Sequence, residues 1–139
     1  KEVLLEEPGN EAVRIDAAEW LLRTNAAEVS ELLVPLQPDA DHHEQAEALR
    51  VIASIVVGQE KLLDSTEGKK REAIVRGLAG LAAGDYSRLL DGWIEAIERQ
   101  KDIAGGQIAE GCKAVFRFLG PRHPVSEAFY RRFTGTLYS

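Results

Sequence analysis

Three segments of the chain share one pattern: Val13-Arg14-x-x-Ala17, Leu49-Arg50-x-x-Ala53 and Val75-Arg76-x-x-Ala79. An aliphatic residue precedes a cation, and a small residue follows three positions later. Each copy lies in a run that reads as an amphipathic helix. The arginines recur at offsets of 36 and 26 residues, the trace that stacked helical hairpins leave in a sequence. The pattern constrains architecture rather than chemistry.

Helix-ending residues are frequent: Pro8-Gly9, Asn25, Pro38-Asp39, Gly58, Gly68, Gly84-Asp85, Gly105-Gly106 and Gly120-Pro121. They divide the chain into about eight helical lengths. In residues 10–24 the 3.6-residue period places Val13, Ala17, Trp20 and Leu21 on one stripe and Asp16, Glu19 and Arg23 on another. Asn25 with Glu28 reads as a capping-box start for a second helix offering Val29, Leu32, Leu33 and Leu36 inward, which Pro35 should kink or end. Asp41-x-x-Glu44 opens a helix packing Ala48, Leu49, Ile52, Ile55 and Val56, followed by a weak segment around Leu62-Leu63. Residues 69–83 supply Ile74, Leu78 and Leu81, and Asp85 is placed to cap a longer helix bearing Leu89, Leu90, Trp93, Ile94 and Ile97. The one β-branched cluster, Ile55-Val56-Val57, sits within a helical period, so the expected fold class is all-α.

With 139 residues, 45% of them hydrophobic, the chain can bury one sizeable core, and residues 1–139 are expected to form one domain. The start at Lys1 without any methionine, on residues that read like the last turns of a helix, suggests a piece of a longer polypeptide. No apolar run approaches the roughly 20 residues needed to cross a bilayer, so no membrane partner is expected. The single cysteine, Cys112, rules out an internal disulfide framework and fits a reducing compartment without requiring one; the compartment is not fixed by the sequence, and a cytoplasmic one is favoured. The net charge of −6 hides a division. Residues 1–112 carry 12 Lys/Arg against 22 Asp/Glu, whereas residues 113–139 carry 5 against Glu127 alone and hold six of the nine aromatic residues. Residues 113–139 therefore read as a basic, aromatic C-terminal cap.

Glu11 to Leu22, a polar turn and then Val29 to Leu36 resemble a HEAT repeat, in the variant first described in phycobilisome lyases. Residues 75–97, with their Gly84-Asp85 turn, match the same outline. The middle unit keeps Leu49-Arg50-x-x-Ala53 before a poor second helix, and the unit after Gly106 keeps only Cys112-Lys113-x-x-Phe116. The resemblance implies an α-solenoid of about four helical hairpins, with an irregular helical bundle as the alternative that helix counts alone do not separate. It further implies that Ala17, Ala53 and Ala79 let helices approach, and that Arg14, Arg50 and Arg76 bond acidic or carbonyl groups of a neighbouring unit.

Solenoids of this kind act mainly as scaffolds, which turns attention to what their faces display. Asp91, Glu95, Glu98 and Asp102 recur at helical spacing opposite Trp93 and Ile97, and Glu28 and Glu31 hold comparable outward positions. Together they could form an acidic track for a basic peptide; the alternative is a solvated helix face. Arg122, Arg131 and Arg132 among the C-terminal aromatics offer the competing surface, with Phe129 and Phe133 expected to pack inward and both Arg131 and Arg132 to face away. The acidic pI of 5.1 disfavours nucleic acid there. Enzyme signals are thin. His43 and Glu47 have a spacing that can hold a metal, but no third ligand accompanies them, and Cys112 has His123 as its one nearby partner for nucleophilic chemistry. Gly77, Gly80 and Gly84 interrupt a helix without forming either phosphate fingerprint. No catalytic residue, metal or cofactor is expected. The reading is a non-catalytic protein-interaction or structural module whose partner is another protein or another domain of the same polypeptide. The alternative is a HEAT-like enzyme domain of the bilin lyase or DNA alkylpurine glycosylase type.

Overall fold

Gly77 of one helix and Gly92 of the next stand backbone to backbone: a Cβ on Gly92 would lie 2.7 Å from the Gly77 nitrogen and 2.6 Å from the Ala73 carbonyl oxygen. The fold is arranged around this contact. The computed structural model describes residues 11–28 and 43–138. They form α1 (Glu11–Thr24), α2 (His43–Val57), α3 (Gln59–Asp64), α4 (Gly68–Ala82), α5 (Tyr86–Arg99), α6 (Gln107–Leu119) and α7 (Pro124–Leu137). Short 3-10 turns cover Ala26–Glu28 and Ile103–Gly106. Among the described residues there is no strand, so the chain is all-α there.

Helix ends follow their local chemistry. The Asp85 carboxylate accepts the Arg88 N–H at 3.1 Å and caps α5 as its position in the sequence implies. At α7, His123 Nδ1 accepts the Val125 N–H at 3.1 Å while Pro124 occupies the first turn, where no backbone donor is needed. Gly84 and Gly120, at φ 73° and 90°, take the positive-φ backbone that follows α4 and α6, a conformation glycine adopts without steric cost. The helix expected over residues 29–36 and the cap at Asp41 lie outside the described residues.

Helix α5 is the centre. Its Leu89, Leu90, Trp93, Ile94 and Ile97 are all buried, as the period indicates. It touches α4, α6 and α7. Trp93, the largest fully buried side chain, stands between two glycines: a Cβ on Gly77 would overlap its indole from the α4 side, and one on Gly111 would come within 2.8 Å from the α6 side. Gly80 likewise lies against the Leu89 backbone. These glycines do not interrupt α4, which runs through both; they let α5 approach closely. Ala53 is buried, but Ala17 and Ala79 are only half-buried, so the closest approaches fall on glycine.

Two further arrangements depart from expectation. Helix α1 buries Ile15, Ala18, Leu21 and Leu22 and leaves Trp20 60% exposed. Its apolar residues are spread widely enough for two helical stripes to satisfy the same period. Helix α2 packs mainly on α6, more than fifty residues later in the chain. Gln45 Nε2 donates to the Phe118 carbonyl at 3.3 Å, and Ile55 meets Gly111, so the two helices run antiparallel. Helix α1 in turn touches α2 and α4.

Candidate interaction surface

The outward face of α5 carries Asp91, Glu95 and Glu98, one helical turn apart, because the opposite face is committed to Trp93 and Ile97. Two arginines from other helices close over them. From α4, Arg76 Nη2 reaches Glu95 Oε1 at 3.0 Å and Asp91 Oδ2 at 3.3 Å. From α7, Arg132 donates Nη1 to Asp91 at 2.8 Å, and grips Glu98 with Nη2 at 2.8 Å and Nε at 3.1 Å. Arg99 adds a longer contact to Glu95 at 3.5 Å. Hydrogen bonds from Arg132, opposed by partial burial, hold the Asp91 and Glu98 carboxyls below their ordinary values, and the bond to Glu98 leads in raising that of Arg132.

This network changes how the acidic stripe is read. A basic peptide would have to displace Arg76 and Arg132 to use it. Asp102 lies beyond the end of α5, exposed, and accepts from Gln100 Nε2 at 3.3 Å. Glu28 is half-buried on the 3-10 turn after α1, and Glu31 lies outside the described residues. The expectation that Arg132 faces away with Arg131 is corrected. It is one residue from buried Phe133, and its long stem spans the angle from that face back to α5. Arg76, from the recurring motif, bonds acidic groups of α5, the second helix of its own hairpin, rather than of a neighbouring unit. Arg50 pairs with Glu47 of its own helix, and the Arg14 side chain lies outside what is described.

The second surface is a groove of about 820 Å³ between α6 and α7. Phe116 and Phe133 are buried in it with ring centroids 5.4 Å apart, and Tyr130 meets Phe116 edge-on at 5.3 Å. Tyr130 and Tyr138 are 55% and 77% exposed, so the aromatic surface continues from the core out to solvent. Phe129, also expected inward, is half-buried and packs against the core. Arg117 of α6 and Arg131 of α7 stand over this surface, both exposed, and neither is in an ion pair among the described residues. Lys113, one turn before Arg117, is tied to Glu110 at 3.3 Å, and Glu44 and Glu127 also line the groove. Ser126 is buried there, and among the described residues its hydroxyl has no hydrogen-bond partner. Arg122 is exposed on the turn before α7.

The concentration of aromatics and cations after residue 112 signalled this surface in the sequence. The parts played by Ser126 and Glu44 carried no signal, because they depend on how three helices meet. Cys112 is fully buried on α6, and burial pushes its thiol well above the ordinary value, so a thiolate is disfavoured; His123 is engaged as the α7 cap. Glu47 is paired with Arg50, and the His43 side chain lies outside the described residues. Among the described residues no cluster of metal-ligand type is present, and no helix is long and apolar enough to cross a membrane. The chain matches no protein-family model, no curated protein and no solved structure.

Proposed function

We propose that the chain is a non-catalytic protein-interaction module and that its docking surface is the groove between α6 and α7. One observation carries this reading: among the described residues Arg117 and Arg131 stand unpaired over a solvent-open aromatic surface, whereas the α5 carboxylates are already occupied by Arg76 and Arg132. Aromatic side chains with arginine are the residue types that dominate binding at protein interfaces. We further infer that the module is an irregular helical bundle rather than a HEAT-like array. In an array of four hairpins α2 and α6 would belong to units separated by a whole hairpin, yet solenoid units touch only their neighbours. A glycosylase site would need a uniformly basic lining for a polyanion, and the groove carries Glu44 and Glu127 beside Lys113, Arg117 and Arg131.

A displayed library of random peptides, screened against the wild type and against Tyr130→Ala with Tyr138→Ala, tests the docking surface. Both tyrosines are exposed, so the double variant keeps its fold. Peptides enriched by the wild type and lost on the double variant are expected. If the library yields only peptides that bind both proteins equally, the groove is not the docking surface.

A further inference from the structure

The groove also limits what can fill it. We infer that its occupant is an amphipathic helical segment of a partner protein, apolar along one face and flanked by carboxylates; the inference rests on the groove being a docking surface. Shape is the first argument. A pocket for a small molecule encloses most of its ligand, whereas this groove is walled by two helices of 13 and 14 residues and has Tyr130 and Tyr138 open to solvent. A helix laid along such walls buries one face over several turns. Backbone chemistry is the second argument. Among the described residues there is no sheet edge to pair with, so an extended peptide would leave its own N–H and C=O groups unmatched against an apolar floor. A helix satisfies them internally.

Charge decides the flanks. Arg117 and Arg131 stand on opposite walls without a carboxylate partner among the described residues, in a chain whose net charge is −6, whereas Arg76 and Arg132 are paired. Carboxylates on either side of an apolar stripe would meet both. Glu44 and Glu127 on the same rim oppose a continuous polyanion, which separates discrete carboxylates from a nucleic-acid backbone.

The test is fluorescence anisotropy with three labelled probes: a 14-residue helical peptide with a Leu/Tyr stripe and Glu flanks, the same stripe with Lys flanks, and a single-stranded oligo-dT. The Glu-flanked peptide is expected to bind about tenfold or more tighter than the Lys-flanked one, and to lose that advantage on Arg117→Glu with Arg131→Glu or in high salt. Circular dichroism melts of the variant confirm that both exposed substitutions leave the fold intact. If the Lys-flanked peptide binds as well and both peptides still lose binding on Tyr130→Ala with Tyr138→Ala, the acidic occupant is wrong and the docking surface stands. If neither peptide depends on those tyrosines, the docking surface falls as well. Tighter binding of oligo-dT than of the Glu-flanked peptide overturns the inference in favour of nucleic acid.

Discussion

At the scale of single residues, the fold depends on where a hydrogen stands in place of a methyl group. Gly77 and Gly111 face the Trp93 indole from opposite sides, and no Cβ fits at either without moving the largest buried side chain of the molecule. Alanine improves the helix propensity of a glycine site by about 1 kcal/mol, but overpacking a close contact costs about 1–3 kcal/mol. Gly77→Ala should therefore be net destabilising in urea denaturation. Gly135→Ala, in α7 with nothing near its would-be Cβ, should stabilise by about 0.5–1 kcal/mol. Equal shifts of the same sign at both positions would show that Trp93 is not seated between the glycines. The sequence placed Trp93 inward correctly, since one apolar stripe of α5 has no rival. It could not assign Gly77, because a glycine that ends a helix and one that admits a neighbour look alike until the neighbour is known. Trp20 was misplaced for a related reason: α1 has apolar residues on two adjacent stripes, and the period alone does not choose between them.

At the scale of elements, α7 is held by few buried residues and by one arginine. Only Ser126 and Phe133 are fully buried along it, while Arg132 links it to two carboxylates of α5. These groups are partly exposed, so screening keeps the clamp to about 1 kcal/mol in all. Arg132→Gln should lower stability by about that amount at pH 7. Asp91 and Glu98 have folded pKa values depressed from 3.8 and 4.5, so their contribution is complete above the ordinary values and is lost as pH falls through the depressed ones. The difference between wild type and variant should accordingly shrink below about pH 4.5. Denaturation midpoints measured at pH 7 and pH 3 check this, and a gap that stays constant would mean that Arg132 acts through packing alone. The acidic stripe was legible as helical spacing on α5. Its closure was not, since Arg76 and Arg132 lie on helices whose crossing with α5 is a tertiary fact.

At the scale of the whole molecule, α4, α6 and α7 pack on α5, α2 packs on α6, and two charged surfaces lie beside α7. One is closed by the protein's own arginines; the other is open. The six aromatics and five cations after residue 112 marked this end of the chain as different in the sequence, although the groove itself exists only once α6 and α7 are packed. The pairing of α2 with α6 was beyond sequence reading for the same reason, as a recurring Arg-x-x-Ala pattern states how a helix is built and not which helix it meets. The central claim is that recognition occurs in the open groove and not on the α5 carboxylates. Its most direct test is a titration of the 15N-labelled chain with the Glu-flanked helical peptide, followed by amide chemical shifts. Perturbations concentrated on Phe116, Arg117, Tyr130, Arg131 and Thr134 are expected; perturbations concentrated instead on Asp91, Glu95 and Glu98, with the α6 and α7 amides unmoved, would contradict the account.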